Sequence, residues 1–174
     1  MSGGLPAFIE PVRLAELGRT LEGRLPVVRL HRLAGVLADQ QGEVEVRLDF
    51  RREPRSRSAV HGHIRAGLRL TCQRCLQPFE LMLDLPVNLV VVRSDAEAER
   101  LAEEEDPLLV GAGQALSLAE LVEDELLLAL PQVPAHPPPG CRPPAGSEAG
   151  SEPGPSPFEA LGSLMTPGPA DRTR

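Results

Sequence analysis

The sequence has no lysine, tryptophan or tyrosine and only 4 phenylalanines among its 174 residues. So few aromatic rings do not support recognition of bases by a stacking platform. No stretch approaches the roughly 18 consecutive apolar residues that span a bilayer, and no basic segment followed by an apolar one stands near the start. A soluble, cytoplasmic chain with no membrane partner is expected. A phosphate-binding glycine loop, a nucleophile elbow and a dinucleotide fingerprint are all missing, so neither a small-molecule substrate nor a catalytic residue is expected. The 3 cysteines cannot all pair, and in a reducing compartment a Cys-x2-Cys is a metal clip or a redox pair before it is a structural disulfide.

The formal net charge of -7 hides a division. Residues 1–94 carry 14 Arg against 10 acids, net +4, whereas residues 95–174 carry 4 Arg against 15 acids, net -11. Exclusive use of Arg suits guanidinium recognition of phosphate, but it is equally what a biased codon usage leaves, because Lys is missing everywhere, tail included.

What is present points to an α+β domain of roughly 130 residues and a tail. Val44, Val46, Leu48 and Phe50 alternate with Glu43, Glu45, Arg47, Asp49 and Arg51, the period of a half-buried strand. Alternation resumes after the polar turn Arg52–Ser58 with Val60, Ile64, Ala66, Leu68 and Leu70 on one face, and a hairpin follows. A third run, Phe79 to Val91, is long enough to require a bulge, a break or an edge position at Pro86. The sheet is expected to be small and antiparallel, of three strands or more, open or barrel-like. Ser94-Asp95-Ala96-Glu97 and Ser117-Leu118-Ala119-Glu120 are capping boxes. The first opens a short helix closed by Asp106-Pro107, after which Leu108 to Val110 suit a short strand. The second opens a helix running to Leu130, buried along Leu118, Leu121, Val122, Leu126, Ala129 and Leu130, with Leu127 and Leu128 widening the stripe until its C-terminal half is covered.

Residues 1–136 are thus expected to fold. Residues 137–156 read as a disordered linker, because 8 Pro, 4 Gly and 3 Ser fill 15 of the 21 positions from Pro137 to Pro157, a composition that buries too little apolar surface. Residues 157–166 form a short amphipathic segment with Phe158, Leu161 and Leu164 on one face, too short to be helical alone, and 167–174 are a tail.

Two features carry candidate chemistry. Cys72 and Cys75 lie in a tight turn between strands, and His136 and Cys141 flank a proline-rich loop; together they have the donors of a tetrahedral structural zinc site. The competing readings are a partly buried thiol with incidental neighbours, and a thioredoxin-like redox pair, which requires the first cysteine at a helix N-terminus. Arg47, Arg51, Arg65 and Arg69 share the polar sheet face with His61 and His63, and Arg74 sits in the cysteine turn. They offer contact to RNA phosphates or to a partner. Glu43, Glu45 and Asp49 lie on the same face, so cross-strand charge pairing is the simpler account.

The succession Leu70-Thr71-Cys72-Gln73-Arg74-Cys75-Leu76-Gln77-Pro78-Phe79, then Val92-Arg93-Ser94-Asp95, then Leu121 through His136, with Cys141 and Pro157-Phe158-Glu159-Ala160-Leu161, resembles the YceD family of large ribosomal RNA subunit accumulation proteins. The resemblance runs from about Pro11 to Leu164. It implies a bacterial, non-catalytic factor, with plastid relatives, needed for synthesis, processing or stability of 23S rRNA. The implied partner is the pre-50S particle, 23S rRNA itself, or a ribosomal or rRNA-processing protein, and the acidic half favours a basic protein. The chain departs from the pattern in its proline-rich linker and in the near-neutral end Asp171-Arg172-Thr173-Arg174. Two alternatives stand beside it: an interaction adaptor unrelated to ribosomes, and a thiol redox enzyme.

Overall fold

The structure, a computed structural model, describes residues 4–54, 57–102, 105–111, 113–137 and 140–141. The amphipathic segment around Phe158, Leu161 and Leu164 lies outside them. Its centre is an antiparallel hairpin ladder built from β3 (Glu43–Arg52), β4 (Ser58–Thr71) and β5 (Pro78–Val92). The alternation in the sequence becomes alternation in burial: Val44, Val46, Leu48 and Phe50 are buried and meet Ala66, Ile64, Gly62 and Val60 across the ladder. Matching inward rows on neighbouring strands fix this register, since a slip by one residue would turn every apolar side chain outward. Gly62 permits the close approach of β3, because a Cβ there would collide with the main-chain carbonyl of Arg47.

β5 pairs with β4 from Ala59↔Val90 to Thr71↔Pro78 without a bulge. Pro86 therefore neither breaks nor kinks the strand; of the three options, the edge position is the one realised. β6 (Asp106–Leu109) joins β5 only from Leu89 onward, so Pro86, which has no N–H to donate, stands where β4 is the only neighbouring strand among the described residues.

Two strands enlarge the sheet beyond the alternating runs. β2 (Thr20–Pro26) adds antiparallel to β3, Thr20↔Asp49 to Pro26↔Glu43. β6 runs parallel to β5, so the sheet is mixed and not wholly antiparallel. Asp106-Pro107 accordingly opens a strand and does not close a helix: α2 (Asp95–Ala98) is a single turn. Its cap forms as its sequence requires on one side, with Ser94 Oγ accepting from the Glu97 amide at 3.3 Å. The return bond goes one residue earlier than a capping box places it, from the Arg93 amide to Glu97 at 2.8 Å. The strand order β2-β3-β4-β5-β6 is open, and the sheet does not close into a barrel.

One face of this sheet is covered. β1 (Phe8–Ile9) pairs with β7 (Leu116–Ser117) and leads into α1 (Pro11–Glu16). β7 continues directly into α3 (Leu118–Ala129), capped by Ser117 Oγ on the Glu120 amide at 3.3 Å. Leu118, Leu121, Val122 and Leu126 of α3 enter a core shared with Leu48, Phe50, Ile64 and Leu68. The C-terminal half of α3 is less covered than a continuous leucine run predicts: Leu127 is half-buried and Leu128 is 84% exposed. At 100° per residue, three successive leucines cannot all face a single sheet.

Candidate metal centre

The turn that joins β4 to β5 is six residues long, and its shape is set by main-chain bonds. The Cys72 amide donates to Gln77 O at 3.0 Å, and the Leu76 amide donates to Cys72 O at 2.9 Å. Leu76 takes φ 60°, a left-handed conformation that reverses the chain at a cost of roughly 1–2 kcal/mol for a residue with a side chain. This folding places Cys72 and Cys75 on the same side of the turn, both buried.

The second half of the site arrives from beyond α3. Pro131 stops that helix, and the segment after it is docked on the turn by the Gln73 amide, which donates to Pro134 O at 2.8 Å. Two residues further on, the His136 ring lies 5.0 Å from the Phe79 ring, centroid to centroid, at an interplanar angle of 41°. These two contacts aim His136 Nδ1 at Cys75 Sγ, 3.2 Å away. Cys141 Sγ lies 3.5 Å from Cys72 Sγ. All four donor atoms fall within 4.8 Å of one another. In a tetrahedron with metal–sulfur bonds of about 2.3 Å, neighbouring sulfurs stand roughly 3.8 Å apart, so small side-chain adjustments bring the four donors onto one ion.

The electrostatics fit such an ion. Burial by itself would raise the Cys72 thiol, but the amides of Cys75, His136 and Arg74 and the His136 side chain outweigh it and bring the thiol down to about 5. Cys141 is pushed up to about 11 by burial and by its proximity to the other two sulfurs. The pocket thus holds one thiolate readily and resists crowding three together, a conflict that a divalent cation removes. Three sulfurs and an imidazole suit zinc-like ions and not calcium or magnesium, which take oxygen donors. A complete protein donor set leaves no open position for a reacting water. Cys72 follows the end of a strand and not the start of a helix, so it lacks the helix-end field that activates a thioredoxin-like cysteine.

The basic candidates divide. Arg47 pairs with Glu22 at 3.1 Å, Arg65 with Asp84 at 3.0 Å and Arg69 with Asp39 at 2.7 Å. Arg51 and Arg74 are exposed and make no ion pair among the described residues. His61 Nε2 hydrogen-bonds to Glu53 at 2.9 Å and His63 Nδ1 lies 3.5 Å from Asp84, so neither joins the cysteine cluster. The expected same-face compensation is present, although the partners come mostly from β2 and β5 and the loops. Glu123, by contrast, has no counterpart in the sequence-based candidates. It is buried and accepts the amides of Arg32 at 2.6 Å and Leu33 at 3.0 Å, and it pairs with Arg32 Nε at 3.0 Å. The signal was an acid interrupting a leucine face; its role as the anchor of the turn at Leu33–Gly35 depends on a partner far away in sequence.

Residues 60–165 match the family model described as Large ribosomal RNA subunit accumulation protein YceD, a span that takes in all four metal-site residues. The chain is also 30% identical over 132 residues, 76% of its own length and 76% of the relative's, to the Haemophilus influenzae protein called Large ribosomal RNA subunit accumulation protein YceD. No solved structure matches. On both the matched span and the identity, the chain belongs to the YceD family.

Proposed function

We propose that this chain is a non-catalytic cytoplasmic factor that supports synthesis, processing or stability of 23S rRNA during assembly of the large ribosomal subunit. Membership of the YceD family is the observation that carries this reading. In the same reading Cys72, Cys75, His136 and Cys141 hold a structural Zn2+. The ion supplies no chemistry beyond a cross-link: it ties the β4–β5 turn to the segment that follows α3. Residues 1–136 are the folded domain and 137–156 the linker. The segment 157–166, with Phe158, Leu161 and Leu164, is a recruiting element whose tether raises its effective concentration. Arg51 and Arg74, the two candidate arginines without an ion pair among the described residues, are the ones free to meet phosphate.

The test is the ratio of 23S to 16S rRNA in cells depleted of the chain. A fall in 23S, restored by the wild-type chain and accompanied by co-sedimentation of the chain with pre-50S particles, is expected. An unchanged ratio, with the chain remaining at the top of the gradient, contradicts the reading and favours an adaptor unrelated to ribosomes.

A further inference from the structure

A groove of about 540 Å³ opens between β5, β6 and α3. Its floor is Leu85 and Leu89 of β5, Leu108 of β6 and Leu121 of α3, and Leu128 stands at its wall almost wholly in solvent. The rim is acidic, with Asp106, Asp124 and Glu125, and no basic side chain lines it among the described residues. Asp124 is already engaged by Arg32 at 2.7 Å. Asp106 and Glu125 have no ion pair among the described residues. Burial, and after it the charges of Asp106 and Asp124, hold the Glu125 carboxyl above its ordinary value. Leu89 and Leu121 are buried, but Leu85 and Leu108 are half-exposed and Leu128 stands in water beside uncompensated carboxylates; an apolar, positively charged occupant covers the leucines and compensates the charge.

We propose that this groove is the docking site for a basic amphipathic helix of a protein partner, its leucine-type anchors on the floor and its Arg or Lys side chains against Asp106 and Glu125. A helix fits better than an added strand. Pro86 and Pro107 line the groove and donate no N–H, so a strand laid along this edge would lose ladder bonds, whereas a helix satisfies its own backbone. Nucleic acid is disfavoured by the sign of the rim.

The inference concerns a surface remote from the cysteine turn, and its failure leaves the rRNA reading intact. The full-length protein is titrated into a labelled synthetic peptide of about four helical turns carrying Leu at i, i+3, i+4 and i+7 and Arg elsewhere, followed by fluorescence anisotropy. Saturable binding is expected, with methyl shifts at Leu85, Leu89 and Leu128. Leu128→Asp and Glu125→Lys are each expected to weaken it about tenfold or more; Leu128 is exposed, so its variant should keep the fold, which thermal unfolding checks. The proposal is overturned if a scrambled peptide of identical composition binds equally well, since charge alone would then suffice. It is equally overturned if both folded variants bind like the wild type, or if single-stranded RNA and not the peptide moves those methyl signals.

Discussion

Glu123 is an acid set in a helix face otherwise made of leucine and valine. Burial would raise its carboxyl, but the amides of Leu33 and Arg32 and the Arg32 guanidinium outweigh that and hold it below the ordinary value near 4.5. A depressed carboxylate contributes stability that is fully present above the unfolded value and is lost as pH falls through the folded one. Glu123→Gln is therefore expected to cost about 1–3 kcal/mol at neutral pH, by weakening bonds to main-chain donors, one of them buried. The deficit should shrink below about pH 4.5, where the unfolded wild-type carboxyl takes up a proton. Chemical denaturation at pH 7 and pH 3.5 checks both. Its interruption of an apolar helix face is a weak signal, because acids early in a helix are expected from its dipole alone, and the partner lies 91 positions away. The four cysteine and histidine residues were legible for the opposite reason: their donor atoms are rare and chemically specific. What the sequence did not contain was the bond that closes the site, from the Gln73 amide to Pro134 O, since main-chain donors carry no residue label.

Among the elements, strands with strict alternation were read correctly and β6 was expected as a short strand at Leu108 to Val110; β2 and the parallel direction of β6 were missed, because side chains do not set them. β2 contains Gly23 and ends at Pro26, so its propensity is poor, and it forms because β3 offers an open edge. β6 is parallel to β5, a direction set by the path of the chain through α2 and by no local pattern. α3 was located by its cap, but its exposed side was not, because five of its last six residues before Pro131 are apolar and a helical wheel with so many leucines has no unique face. The structure makes a sharp distinction there. Leu126→Ala should cost about 2–5 kcal/mol, as for a buried leucine. Leu128→Ala should leave the unfolding midpoint within about 0.5 kcal/mol of wild type. Equal losses in urea titrations would mean that α3 is rotated. Gly62→Ala is a second test at this scale: a methyl group there meets the Arg47 carbonyl and must spread β3 from β4, so a loss of about 1–3 kcal/mol is expected. An unchanged stability would contradict the close approach.

Across the whole molecule, the division of charge seen in the sequence resolves into two surfaces. The basic half supplies a sheet face on which Arg24, Arg47, Arg65 and Arg69 are matched by acids from neighbouring strands and loops, the closest at 2.7 Å. The acidic half supplies the rim of the groove beside α3. The arginine content therefore says less about RNA than its abundance suggests. Holding these surfaces on one frame is the task assigned to the cysteine turn, and the metal content of the protein tests that assignment most directly. Purified from cells without added metal, the wild-type chain should carry about one zinc, with an X-ray absorption spectrum of three sulfurs and one nitrogen. Cys141→Ser should lose most of the zinc and unfold at a lower temperature. A wild-type chain that is free of zinc, and whose stability is unchanged by Cys141→Ser, would contradict the account.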